Sequence, residues 1–382
     1  MQSAIPRKPW TFLVYLAGAN DLDVFIQENM DQMMAIGSND RINILVYLST
    51  HYAGQKKETK KLYVNKGSVT QHGPTTVRDS GNVETFKSAL SWACTEFPSD
   101  HIAVVCWDHG LGALNKSESI SGYKRGVCYD FDTGHYLTDR DLFSAFSWAR
   151  DTLRRGRKID IVAFDACLMA SLEIAATLSS CANYMVASED SMPGTGFDYY
   201  RMLNQFNTRT PDALTFAKRM VTAYQEVYVH ETDYTLSAID LQALSEFITN
   251  FSEVSEFLAA QLQSNKMAAK LVIKKSVGDL VCPVFNLVYI DVLQFYKNLL
   301  AHGAELKLSL SDTADFKALV ANGIELFPYF VKANVVGRDY KQAGGLTVYF
   351  DARGVDTSYS RLFWTTEING WWLNLLRAYV AR

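Results

Sequence analysis

A chain of 382 residues, 48% hydrophobic and 20% charged, can bury one large α/β core with additions or two smaller cores, and its composition excludes a disordered protein. A formal net charge of −4 supplies no overall attraction to polyanions, which argues against nucleic acid or an acidic membrane surface as partner. The six cysteines, at 94, 106, 128, 167, 181 and 282, show neither a CxxC pair nor a zinc-finger spacing and are too sparse for a disulfide scaffold, and no apolar run approaches the roughly 20 residues that cross a bilayer.

The first apolar run, WTFLVYLA at 10–17, follows Arg7 and Lys8 and precedes Asn20-Asp21-Leu22-Asp23. A charged start, an apolar stretch and small residues also fit a secretion signal. The aromatic and β-branched content and the turn at 20–23 favour a first core strand instead, so the chain carries no clear signal peptide. A segment of helical length, 22–36, leads to INILVYL at 42–48. The basic run KKETKK at 56–61 reads as a solvated turn, and 61–64 with 69–71 suits a small hairpin. A crossover helix over 82–96 precedes IAVVCW at 102–107, and another over 138–153 leads through RRGRK at 154–158, a second solvated turn, to IDIVAF at 159–164. YMVAS at 184–188 is the next run. Runs apolar on both faces and alternating with helices predict a parallel sheet covered on each side.

From about 210 helical periodicity dominates. Thr210-Pro211 suits an N-cap and a first helical proline, and Phe247, Phe251, Val254, Leu258 and Leu262 mark one face of a later helix. Residues 234–241 and 345–350 return as strands.

In a parallel α/β sheet, functional groups gather beyond the carboxyl ends of the strands. Two such ends carry reactive side chains here: IAVVCW runs into Asp108-His109-Gly110, and IDIVAF into Asp165-Ala166-Cys167. A cysteine directly before a helix gains from the helix dipole, which favours the thiolate nucleophile. His109, projected from a neighbouring strand end, can protonate a leaving group, so the two residues suit a Cys/His dyad. Gly110 lets its backbone approach a substrate closely, and its N–H with that of Cys167 forms an oxyanion hole. Asp165 also suits an N-cap of the helix that follows. Asp130-Phe131-Asp132-Thr133-Gly134 opens like a calcium loop, but His135 stands where glycine is needed and Asp141 where the closing glutamate belongs, so a hairpin turn explains it better and no metal site is assigned. The chain has no GxSxG elbow, HExxH, P-loop or strand-linked GxGxxG.

WTFLVYLAGANDLD, CWDHGLG around His109, FDACLMASLEIA around Cys167, ASEDSMPGTGFDY at 187–199 and AGGLTVYF at 343–350 together resemble the clostripain family of cysteine peptidases. The resemblance implies a caspase-like α/β/α sandwich with a mostly parallel central sheet and a C-terminal helical and strand extension, a fold shared more distantly with gingipains, legumain and separase. On that expectation residues 1–209 form the catalytic core and 210–382 complete the sheet and pack helices on it. His109 and Cys167 then match the catalytic pair, and Asp165 the S1 acid that selects Arg or Lys, with Glu189 and Asp190 as further pocket candidates or as turn caps. The implied partners are peptide or protein substrates with Arg or Lys at P1. The resemblance further implies self-cleavage within the polar segment 116–126, KSESISGYKRG, after Lys124 or Arg125, with an ordinary surface loop as the alternative. Some relatives depend on calcium, and a secreted or periplasmic setting is typical. Leu111 and Ala113 depart from the serine and tryptophan often found after His-Gly. Two rival functions are weighed: a catalytically silent interaction protein with the same fold, and a thiol amidase or transpeptidase.

Overall fold

The computed structural model describes residues 7–51, 56–114, 126–278 and 283–381. Its strands in chain order are β1 (Lys8–Gly18), β2 (Ile42–Thr50), β3 (Glu58–Asn65), β4 (Ser68–Gln71), β5 (Ser99–Trp107), β6 (Ile159–Asp165), β7 (Ala182–Ala187), β8 (Thr235–Asp240), β9 (Val284–Phe285), β10 (Tyr289–Asp291), β11 (Val331–Val336) and β12 (Thr347–Tyr349). Nine of them form one sheet in the order β11-β8-β7-β6-β5-β1-β2-β3-β4. The five central strands, β2, β1, β5, β6 and β7, are parallel, as their two-sided apolar runs predict, and antiparallel strands flank them.

Along the central strands the pleat sends alternate side chains to opposite faces. Leu13, Tyr15, Val162 and Phe164 enter one core with α2 (Val83–Glu96), α3 (Asp139–Trp148) and α4 (Leu172–Leu178). Phe12, Val14, Leu16, Ile161 and Ala163 enter the other, against α1 (Ile26–Ile36), α5 (Tyr199–Leu203) and α6 (Ala213–Tyr228). Each large side chain buried this way contributes about 1.5–3 kcal/mol, so both layers are held by many modest terms rather than one anchor. The first apolar run is thus a core strand beside the centre of the sheet, with Trp10 to Ala17 all buried.

The C-terminal part adds α7 (Leu244–Ser264), α8 (Lys266–Val277), α9 (Val292–His302), α10 (Leu310–Phe330) and α11 (Gly370–Val380). The expected face of α7 is buried at all five positions, Phe247, Phe251, Val254, Leu258 and Leu262. A three-stranded antiparallel sheet, β12-β10-β9, braces the segment after Cys167: Thr347 N–H donates to Ala170 O at 2.9 Å and Tyr349 N–H to Glu173 Oε1 at 2.9 Å.

The expected hairpin forms as β3 and β4 and continues the main sheet as its edge. Three local expectations change. The KKETKK run lies largely in β3, with Lys57 only 6% exposed, so it is not a solvated turn. Helix α6 starts two residues later than Thr210-Pro211 suggests, because Asp212 accepts from Thr215 N–H at 2.7 Å and caps it. The GLTVYF strand is β12 of the small sheet, and the last strand of the main sheet is β11.

Candidate active site

Strands β5 and β6 are parallel neighbours with Trp107 opposite Asp165, and Asp108 N–H donates to Asp165 O at 3.2 Å. The two reactive strand ends therefore emerge side by side. At Gly110 a Cβ would lie 2.3 Å from Cys167 O and 3.0 Å from Cys167 N, so only glycine lets the His109-Gly110 backbone close on the cysteine peptide. That contact brings together three of the residues singled out in the sequence.

His109 is held by a residue the sequence placed only in a turn. Its Nε2 lies 2.6 Å from Asp21 Oδ1, and the Phe131 ring lies nearly parallel to the imidazole, at 7° and 6.3 Å between centroids. Asn20, beside it, organises the platform. Its amide donates to Ala17 O, Asp108 Oδ1 and Tyr129 O at 2.9, 2.6 and 3.1 Å, and its oxygen accepts from Leu22 N–H. One buried amide thereby ties the end of β1 to the end of β5 and to the chain that follows residue 126. Asp108 is itself buried, and burial pushes its carboxyl well above the usual range.

Cys167 is partly exposed, and Met192 N–H donates to its Sγ at 3.1 Å. Burial pushes the thiol up; Met192 opposes this, while the nearby Asp190 and Asp165 add to it. The expected helix-dipole assistance is absent, because α4 begins only at Leu172 with Ser171 as its cap, accepting from Ile174 N–H at 3.3 Å. Residues 166–171 form a turn instead, with Leu168 in the left-handed region at φ +64°. Leu168 N–H donates to Asp190 O at 3.0 Å and Ala170 N–H to Ser188 O at 2.8 Å, strapping this turn to the loop after β7.

The same observation removes the N-cap reading of Asp165. Its Oδ2 accepts from the Tyr199 hydroxyl at 2.8 Å and its Oδ1 from Phe197 N–H at 3.0 Å. Gly196 sits at φ +59°, where a Cβ would lie 2.2 Å from Asp165 Oδ1. Burial pushes Asp165 up to about 7, against the opposing pull of Tyr199 and Phe197. These partners belong to the ASEDSMPGTGFDY block, and its Gly196 is the one sequence signal that could have pointed to so close a backbone approach. Tyr228 supports the loop by donating to Gly196 O at 2.8 Å.

The two further acids separate. Asp190 is partly buried and faces both Cys167 and Tyr340. Glu189 is 1% exposed; its Oε2 accepts from Gly345 N–H at 2.9 Å, and it pairs with the buried Asp291 that caps α9. Burial pushes both Glu189 and Asp291 up, and Glu189 braces the C-terminal part rather than lining a pocket beside the thiol.

The calcium-like segment is engaged otherwise. Asp130 receives the Lys57 ammonium and the Ser80 N–H and hydroxyl on one oxygen, and Asp132 and Thr133 N–H on the other. Burial works to raise Asp130, but Lys57 and Ser80 outweigh it and hold it low. Asp132 pairs with His51 at 3.3 Å, and Asp141 completes a capping box with Thr138. Among the described residues no group of three or more His, Cys, Asp or Glu is placed to hold a metal ion. Leu111 and Ala113 anchor their loop: Leu111 packs on the core, Ala113 is buried, and Leu111 N–H donates to Gly126 O at 3.1 Å. Lys124 and Arg125 lie outside the described residues.

Comparison with known proteins places this geometry. Clostripain of Hathewaya histolytica is 26% identical over 144 residues, 35% of this chain and 27% of that protein, so the match spans about a quarter of the relative's length. A secreted C11 cysteine protease of Bacteroides thetaiotaomicron, solved with an irreversible peptide inhibitor, superposes with a TM-score of 0.66 at 19% identity, covering 96% of this chain and 99% of that one. An inactive zymogen C11 protease of Parabacteroides distasonis gives 0.66 at 18%, with the same coverage. Both likenesses establish the caspase-like fold. The model of the clostripain family, Peptidase_C11, matches residues 14–303, a stretch holding both reactive strand ends. The chain belongs to the clostripain family of cysteine peptidases.

Proposed function

We propose that the protein is a cysteine endopeptidase that hydrolyses peptide bonds after arginine or lysine. The observation that carries this reading is the contact of the His109-Gly110 backbone with the Cys167 peptide at two adjacent strand ends. Burial keeps the Cys167 thiol protonated in the free protein, so its proton passes to His109 as substrate binds. Sulfur then adds to the scissile carbonyl carbon, and the oxyanion is received by the N–H groups of Gly110 and Cys167. The His109 imidazolium protonates the departing amine, the C–N bond breaks, and water hydrolyses the thioester to free the acid and the thiol. Asp21, bonded to Nε2, fixes the ring and its tautomer, leaving the proton transfer to Nδ1.

Asp165, aided by Asp190, receives the P1 cation. A guanidinium meets a carboxylate through two parallel hydrogen bonds, whereas an ammonium acts as a point charge, so arginine is preferred. Self-cleavage after Lys124 or Arg125 fits a specificity of this kind. The Leu111–Gly126 hydrogen bond joins the described residues on either side of that segment. A secreted or periplasmic setting accords with the secreted relative of known structure.

The test is a fluorogenic peptide amide ending in arginine, read beside the intact mass of the protein. Wild type should release the fluorophore and be cut near residue 125; Cys167→Ala should do neither, with a loss on the order of 10⁴-fold or more. An inactive wild type, or an active Cys167→Ala, removes the reading. Added amines that appear in the product would make the enzyme a transpeptidase instead.

A further inference from the structure

The basic run RRGRK at 154–158 has no part in that chemistry; it is the turn that the sequence predicts, exposed at Arg155, Gly156 and Arg157, and it borders a cavity. At the amino ends of β1, β5 and β6, away from His109 and Cys167, a cavity of about 530 Å³ is lined by Arg7, Arg154, Arg155 and Arg157, with Cys94 and Ser99 among its walls. Chain geometry builds it. A wide π turn over Ala149–Leu153 ends α3, and two successive left-handed residues, Arg155 at φ +56° and Gly156 at φ +84°, reverse the backbone. Three arginines of one turn then face the same basin, where the seventh residue of the chain joins them.

Charge in the basin is unbalanced. Asp100 pairs with Arg7 at 2.6 Å and Asp160 with Arg154 at 3.0 Å, two carboxylates for four guanidinium groups. Arg157 reaches only the carbonyl of Asp100, at 3.4 Å, and among the described residues no carboxylate pairs with Arg155 or Arg157. Arg154 is buried and held by Asp160 and the Lys158 carbonyl, so the uncompensated charge is that of Arg155 and Arg157 at the rim.

We propose that this basin is a binding site for a small molecule carrying two or more phosphate groups. Two unpaired planar forks in one cavity match phosphate oxygens, and the volume exceeds what a single orthophosphate fills. The site binds rather than reacts, because burial pushes the Cys94 thiol up to about 11 and leaves it a poor nucleophile. The concave shape and the overall negative charge favour a small ligand over a nucleic acid.

The probe is inorganic tripolyphosphate, titrated calorimetrically into the full chain at fixed ionic strength, with sodium chloride as the ionic-strength control. Saturable one-to-one binding is expected, weakened at least tenfold in Arg155→Gly and again in Arg155→Gly/Arg157→Gln. Glycine accepts the left-handed backbone freely, so Arg155→Gly should melt no lower than wild type, which separates lost binding from lost folding. No saturable binding, a change below twofold in the double variant, or the same heat from sodium chloride alone overturns the proposal. None of these readouts depends on peptidase activity.

Discussion

The carboxyl ends of β5 and β6 and their amino ends are equally crowded and oppositely charged. Asp21, Asp108, Asp165 and Asp190 surround the reactive pair at one end; Arg7, Arg154, Arg155 and Arg157 line a cavity at the other. Burial works against ionisation at both, pushing Asp108 and Asp165 up and Arg154 down. The outcomes differ because a carboxylate can take a proton near neutral pH, whereas a guanidinium cannot release one. Charge at the candidate catalytic end therefore follows pH, while the basic end stays charged, with Asp100 and Asp160 as partners for two of its four arginines.

The largest effect expected from breaking this comparison is at Gly110. Gly110→Ala forces a Cβ onto the Cys167 carbonyl, so kcat/KM should fall on the order of 10³-fold and the melting temperature should fall with it as the two strand ends are pushed apart. An active Gly110→Ala enzyme would show that the two strand ends do not need to close on each other.

Asp165 comes next. Asp165→Asn should cost roughly 100-fold in kcat/KM on arginine substrates. The same change tests the pH behaviour. The folded state holds the acid at about 7, above its usual value of 3.8, so the stability it favours is complete below 3.8 and is lost as pH rises through 7. The asparagine variant should thus gain melting temperature over wild type progressively up to about pH 7, then keep a constant margin. A P1 guanidinium favours the ionised acid, so the wild-type KM should fall over the same range. A flat melting difference, or a KM indifferent to pH, rejects Asp165 as the responsive group.

A smaller and more selective loss is expected at Asp21. If it orients His109 for protonating the amine, Asp21→Asn should lower kcat on an anilide by tens of fold, and on a thioester of the same peptide by less than about threefold, since a thiolate leaves without a proton. Equal losses on both would reduce Asp21 to a structural contact. Smallest of all, Arg155→Gly should leave kcat/KM within about twofold of wild type, and a larger change would couple the two ends.

Much of the fold was legible in local pattern. The five central strands follow from runs apolar on both faces, and the α7 face from its spacing, because burial on one side of a strand or helix repeats with a fixed period. The candidate site was legible in part, since a parallel sheet sends neighbouring strand ends to one edge. Its partners were not: Tyr199 and Phe197 reach Asp165 from over 30 positions away, and Lys57 reaches Asp130 from 73. The cap at Ser171 escaped because the apolar run after Cys167 hides where the turn ends and α4 starts.

From residue order alone came the candidate reactive groups and the sheet that carries them, since both rest on nearest neighbours and periodicity. Which acid holds His109, how burial raises the Asp165 carboxyl and where four arginines converge were decided only in three dimensions. Strand order joins Arg7 to Arg154 and Asp21 to His109, and desolvation sets a carboxyl's charge by everything packed around it, which no stretch of neighbouring residues encodes.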